Sequence, residues 1–169
     1  KWFKLKYNLL QAREQGCRTL LSFGGAWSNH LHALAFAAQR VGMRSVGIVR
    51  GDELDANANP MLQEAQQWGM QLEFVSRQCY REWTRDGAPA VDARTWTIPE
   101  GGDNPLGVLG CMSLVPRAAH ADYDQVCLAL GTGCTLAGVR LALPPAVKVC
   151  GVSVLAGDWP RQQMQQRLQ

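Results

Sequence analysis

Leu21-Ser22-Phe23-Gly24-Gly25-Ala26-Trp27-Ser28-Asn29-His30 reads as a buried strand running into two glycines, after which Ser28 opens a helix. The helix, Ser28 to Val41, is rich in Ala and Leu and stops at Gly42, a residue suited to a left-handed cap. The pattern predicts an α/β protein, and the flanking sequence repeats it. Upstream, Trp2 to Gln15 has a helical period and Thr19 to Phe23 is a short apolar run. Downstream come a strand at 44–50, a helix at 60–68 with Asn59 as N-cap and Gly69 as its stop, a strand at 72–75 and a short helix at 77–85. After a loop come a helix at 106–121, a strand at 123–130, a helix at 134–143 and a strand at 147–155. Strands separated by helices imply open parallel sheets with right-handed crossovers.

The loop over 98–107 carries Pro99, Gly101, Gly102, Asn104, Pro105 and Gly107, and is read as the passage between domains or a hinge. A small open-sheet domain is expected over 9–104, and part of a larger one over 1–8 and 105–169. The chain opens at Lys1 and stops at Gln169 inside what reads as a helix from Pro160 onward, so a piece truncated at both ends is expected.

Composition narrows the function classes. With 47% hydrophobic residues among 169, the chain is not disordered in general. Its apolar runs are too short to span a bilayer, and no basic-then-apolar leader opens it. The net charge of +3 is spread along the sequence without a basic run, which argues against nucleic acid as partner. None of the six cysteines forms a CxxC pair, so free thiols in a reducing cytoplasm are expected. A metal site is not expected, because His30 and His32 are two apart and point to different faces of a helix.

Three turns could carry chemistry, the 98–107 loop among them as a candidate lining of a cleft between domains. At residues 21–30 the glycines let the backbone approach a ligand, and the free N–H groups at the helix start favour a carboxylate or phosphate. Equally, Ser28 could be an ordinary N-cap and Asn29 a solvated residue. At 130–138, Leu-Gly-Thr-Gly-Cys-Thr-Leu-Ala-Gly, a strand feeds a Gly-Thr-Gly turn in which Thr132 and Thr135 add hydroxyls to the backbone donors. That suits a phosphate bound without lysine, although a plain strand-to-helix turn would look the same. It is neither GxxxxGK[ST] nor GxGxxG. Schiff-base chemistry would have to use Lys1, Lys4, Lys6 or Lys148, the chain's four lysines against thirteen arginines.

Four motifs in register resemble the family of 1-aminocyclopropane-1-carboxylate deaminase and D-cysteine desulfhydrase, pyridoxal 5'-phosphate (PLP) enzymes of fold type II, the tryptophan-synthase-β type. They are Lys1-Trp2-Phe3-Lys4-Leu5, Gly24-Gly25-Ala26-Trp27-Ser28-Asn29-His30, Gly101-Gly102-Asp103-Asn104-Pro105-Leu106-Gly107 and Thr132-Gly133-Cys134-Thr135-Leu136-Ala137-Gly138. The resemblance implies that Lys1 is the lysine linked covalently to PLP and that Ser28 is a nucleophile or proton-transfer group. It implies that Asn29 lies near the cofactor's phenolic oxygen, that the backbone of Ser28, Asn29 and His30 holds the substrate carboxylate, and that Gly131, Thr132, Gly133, Cys134 and Thr135 hold the cofactor phosphate. Lys4 matches a second lysine near the active site. The implied reaction, of lyase or C–N hydrolase type, releases ammonia and a 2-oxo acid from a small amino acid. The implied parent is a cytoplasmic homodimer.

Departures from the family pattern are Phe3 where an arginine is expected, His30 where the cyclopropane deaminases prefer glutamine, and His32 where Arg or Thr is usual. They favour a generic or desulfhydrase-like member over a true cyclopropane deaminase. Two alternatives stand beside this reading: a catalytically incomplete remnant of such an enzyme, and a nucleotide-binding α/β domain using the 131–135 turn.

Overall fold

A computed structural model describes residues 1–89, 92–116 and 123–153. The element order is α1 (Trp2–Glu14), β1 (Thr19–Gly25), α2 (Asn29–Val41), β2 (Arg44–Arg50), α3 (Pro60–Gln67), β3 (Met70–Val75), α4 (Arg77–Asp86) and β4 (Thr95–Ile98). After a 3-10 turn at Glu100–Gly102 come α5 (Pro105–Cys111), a second 3-10 turn at Met112–Leu114, β5 (Gln125–Leu130), α6 (Cys134–Ala142) and β6 (Lys148–Ser153). The predicted helix from Pro160 onward lies outside the described residues.

The first sheet has the order β3-β2-β1-β4, and every pair is parallel. β1 is central and buried on both faces, as its apolar run requires. Leu20 packs with Leu5, Leu9 and Ala12 of α1 and Leu31, Leu34 and Ala38 of α2 on one face. On the other face Leu21 and Phe23 pack with Ile48 and Tyr80 of α4. From β1 the chain winds outward through β2 to β3, then returns to place β4 on the opposite side of β1. The winding therefore reverses between β1 and β4, and in open parallel sheets ligands gather outside the strand C-termini at such a reversal. The second sheet pairs β5 with β6 in parallel, with α6 as the crossover.

Three sequence expectations are corrected. β1 runs two residues further than predicted, pairing Gly24 with Val49 and Gly25 with Arg50. The glycines are thus the end of the strand rather than the turn. A Cβ at Gly24 would lie 2.5 Å from Ser28 Oγ, so the absent side chain lets the start of α2 fold back over the strand.

The segment Thr95–Ile98, expected as loop, forms β4. It is a four-residue edge strand in which only Ile98 is buried, too short to show a period. The helix expected over 106–121 closes at Cys111, and Val115 is extended at φ −105°, ψ 111°. Pro116 follows, and its ring disfavours the helical conformation at the residue before it. Residues 117–121 of that prediction lie outside the described residues.

The caps behave as the sequence indicates. The Leu31 N–H donates to Ser28 Oγ at 3.2 Å, and Gly42 closes α2 at φ 71°. All six cysteines are free, and no helix among the described residues is long and apolar enough to cross a membrane.

Candidate active site

Two loops leave the reversal between β1 and β4, and a third comes from the second sheet to meet them. The β4 loop is tied down first. The Ser22 hydroxyl on β1 donates to Ile98 O at 2.7 Å, and the buried Lys4 ammonium on α1 donates to Gly101 O at 3.1 Å. Gly101 and Gly102 both have φ +70°, a conformation that L side chains rarely adopt. A Cβ on Gly102 would also press on Lys4 Cβ at 3.0 Å and His30 Cε1 at 3.2 Å.

Asn8 anchors the same loop from α1. Its amide nitrogen donates to Lys4 O at 2.9 Å and to Asn104 Oδ1 at 3.2 Å. Its amide oxygen accepts from Asn104 Nδ2 at 2.8 Å and from Trp96 Nε1 at 3.2 Å. Asn104 in turn caps α5 by accepting the Gly107 N–H at 2.8 Å. One fully buried amide thus joins α1, β4 and the loop that carries Gly101 and Gly102.

The third loop is the Gly-Thr-Gly turn between β5 and α6. Gly133 has φ 86° and caps α6 with no side-chain bond, leaving the first N–H groups of the helix without a capping side chain. Gly131, Thr132, Gly133 and Thr135 line a cavity of about 220 Å³ together with Lys1 and Lys4. Thr132 also faces a cleft of about 360 Å³ with Phe23, Trp83, Glu100 and Asp103, at the C-terminal ends of β1 and β4. Its buried Oγ1 has no hydrogen-bond partner among the described residues. A buried hydroxyl without a partner costs free energy, and an oxyanion bound beside it would remove that cost.

Electrostatics suit this arrangement. Lys1 is exposed as a residue, yet burial around its ammonium lowers its pKa, and repulsion by Lys4 lowers it further. A larger neutral fraction makes the amine a better nucleophile. His30 is pushed down to about 3, chiefly by burial and then by Lys1 and Lys4, so it is neutral at physiological pH. Ser22 spends its one proton on Ile98 O, so the 3.0 Å contact to His30 requires His30 Nε2 to be the donor. Nδ1 is then an unprotonated acceptor, and it has no partner among the described residues.

The expected site residues fall into two groups. Lys1 and the 131–135 turn share one cavity, although they lie about 130 residues apart in sequence. Ser28 and Asn29, at the start of α2, do not line it; Ser28 is half-buried and Asn29 exposed. Their segment adjoins it through His30, which lies within electrostatic reach of Lys1.

The side chains of His30 and Cys134 do not line the cavity. The His30 side chain, 2% exposed, packs on Ser22 beneath the site. The Cys134 thiol donates to Gly102 O at 3.4 Å, away from the cavity. His32 pairs with Glu64 at 2.7 Å on the surface, so neither histidine used to judge substrate preference presents its ring to the cavity. Sequence reasoning missed Asn8 and the Ser22–His30 pair, since an amide in the middle of an amphipathic helix gives no signal of its partners.

No protein-family model matches the chain. It is 30% identical over 164 residues to a Thermotoga maritima protein provisionally named 1-aminocyclopropane-1-carboxylate deaminase, covering 89% of this chain and 52% of that one. Over most of its length the chain is similar to proteins named 1-aminocyclopropane-1-carboxylate deaminase and D-cysteine desulfhydrase. An Arabidopsis thaliana relative, the mitochondrial bifunctional D-cysteine desulfhydrase/1-aminocyclopropane-1-carboxylate deaminase, is 27% identical over 161 residues, 82% of this chain and 39% of the relative. The crystal structure of an ACC deaminase homologue superposes with a TM-score of 0.77 at 23% identity, over 97% of this chain and 54% of that one. The fold is therefore that of the fold type II PLP enzymes. The chain spans about half the length of the curated relatives it matches.

Proposed function

We propose that the protein is a PLP-dependent deaminase or desulfhydrase acting on a small amino acid, with release of ammonia and a 2-oxo acid. The observation that carries the reading is the shared cavity: Lys1 and the 131–135 turn line one space. Beside it lies a buried threonine hydroxyl without a partner. The residues present fit the cofactor. The α6 N-terminus with Thr132 and Thr135 would hold its phosphate, and Lys1 would hold its aldehyde carbon. When bound, PLP supplies the electron sink for a carbanion at or next to the amino-acid α-carbon.

The chain's own residues would do the rest. The Lys1 amine, with its depressed pKa, is suited to nucleophilic attack and to carrying a proton at the reacting carbon. The free N–H groups at the start of α2 would take the substrate carboxylate. The Ser28 Oγ accepts from Leu31 N, so its hydroxyl proton stays available to donate to substrate. His30 is a neutral, buried support for Ser22 in this scheme. A preference for D-cysteine over the cyclopropane substrate therefore cannot be argued from its ring.

Titrating the chain with PLP tests the reading. Bound cofactor should give a visible absorbance band, and borohydride followed by peptide mapping should find the cofactor on the Lys1 side chain. Lys1→Ala should lose both. A band that survives Lys1→Ala, or no band in the wild type, would sink the proposal.

A further inference from the structure

About 20 Å from the start of α2, the length of seven strand residues, the opposite end of the first sheet carries a second concave surface. It is a cleft of about 720 Å³ at the N-terminal ends of β1, β2 and β4, and its charged lining residues are Arg13, Arg18, Arg44, Arg94 and Asp92. The arginines are 13, 18, 44 and 94 in sequence, so the scattered basic residues of the primary structure converge in the fold.

Backbone hydrogen bonds fix three of them side by side. The Arg18 N–H donates to Arg94 O at 2.8 Å, and the Arg44 N–H donates to Arg18 O at 3.0 Å. Three guanidinium groups thus start from neighbouring strands, about 4.8 Å apart from one strand to the next. Arg13 joins them from the last turn of α1.

The cluster is neutralised only in part, Asp92 facing Arg44 and Arg94. Among the described residues none of the four forms an ion pair or a side-chain hydrogen bond. Asp92 is the one acid in the lining, and its Oδ1 is already engaged by Thr95 Oγ1 at 2.7 Å and the Arg94 N–H at 3.0 Å. The C-terminal ends of α1 and α2 also face this end of the sheet, and a helix end contributes roughly half a negative charge. Four positive charges against one carboxylate and two helix ends leave an excess of about two. Capping the helix dipoles would not need so many arginines.

We infer that this cleft binds a small polyphosphate anion, a di- or triphosphate group, at a site separate from the one that holds Lys1. Arginine forks engage phosphate oxygens in pairs, so several forks around one opening favour an extended anion over a single sulfate-sized one. The volume lies within the range of small-ligand sites.

The probe is inorganic tripolyphosphate, titrated into the wild-type chain by calorimetry at low and moderate salt. It should bind at least tenfold more tightly than sulfate. Arg18→Gln/Arg94→Gln should weaken it tenfold or more, whereas Lys1→Ala should leave it unchanged. All four arginines are exposed, so the double variant should keep its fold.

Amide shift mapping on the wild type removes any dependence on the variant. Shifts centred on residues 16–18, 42–44 and 92–94 support the site, and shifts centred on 131–135 overturn it. Binding no tighter than sulfate overturns it, as does binding that survives the double variant. Tighter binding to a single-stranded oligonucleotide, rising with its length, would overturn the small-anion reading in favour of a nucleic-acid surface.

Discussion

Replacing Asn8 by alanine should destabilise the fold far more than a single small polar substitution usually does. The side chain is fully buried and makes four hydrogen bonds, but not all four partners would be stranded. Lys4 O keeps its intrahelical bond, and Asn104 Oδ1 keeps the Gly107 N–H. The groups left without a partner are Trp96 Nε1 and Asn104 Nδ2, both half-buried. Each costs about 1–2 kcal/mol at that depth, so the expected loss is about 2–4 kcal/mol. That is a large share of the roughly 5–15 kcal/mol that holds a domain together.

Urea unfolding followed by tryptophan fluorescence reads it directly. The midpoint should fall with the slope unchanged. Asn8→Asp keeps the acceptor but turns a carboxylate toward Lys4 O and Asn104 Oδ1, which raises its folded pKa. It should therefore be least stable at neutral pH and recover as pH falls through the raised folded pKa, the recovery being complete below about 4, where the carboxyl carries a proton in both states. A loss below about 0.5 kcal/mol for Asn8→Ala would mean that the knot is not a structural element and would refute the argument, since surface substitutions cost no more than that.

His30 makes the fold acid-sensitive: its folded pKa of about 3 lies below the ordinary 6.5, so its stability contribution is complete above pH 6.5 and declines as pH falls toward 3. Between pH 7.5 and 5 the wild type should lose about 2 kcal/mol from this group, and His30→Gln should flatten that part of the urea-midpoint profile. Gly138→Ala would place a Cβ 2.6 Å from Val108 O and 2.5 Å from Cys111 Cβ, forcing α5 and α6 apart. Thermal melts should show a loss of about 1–3 kcal/mol, and an unchanged melting temperature would show that the two helices can separate freely. Lys4→Met removes the like charge facing Lys1, so the Lys1 pKa should rise and its labelling by an amine-acylating reagent at fixed pH should slow. Faster labelling would contradict the assigned electrostatics.

The sequence carries local geometry where a residue's own chemistry dictates it. Ser28, Asn59 and Asn104 cap helices because each oxygen accepts the N–H three residues on, and Asn59 and Asn104 each precede a proline suited to a helix start. Thr95–Ile98 is different, since a four-residue edge strand gains its identity from β1 beside it rather than from a period of its own. Pro116 keeps Val115 out of the helical region, but nothing local marks the close of α5 at Cys111. Tertiary partners are the least legible layer. Nothing local marks Asn8 as the partner of Trp96 and Asn104, or brings Arg13, Arg18, Arg44 and Arg94 to one rim.

The same distinction holds for the residues that the motifs single out. Lys1 and Gly131 to Thr135 are chosen by motif, and the fold gives them a common cavity that no local rule requires. His30 is chosen by the Gly24–His30 motif, yet its buried ring bonds to Ser22, which in turn donates to Ile98 O. A motif therefore fixes where the backbone of α2 begins but not which of its side chains face the substrate. The start of α2 is placed by Gly24, whose missing Cβ admits Ser28. The rings of His30 and His32 go where Ser22 and Glu64 hold them. On the proposed function, exchanges at Trp83, Glu100 or Asp103, which line the cleft beside Thr132, should shift the substrate KM more than exchanges at position 30.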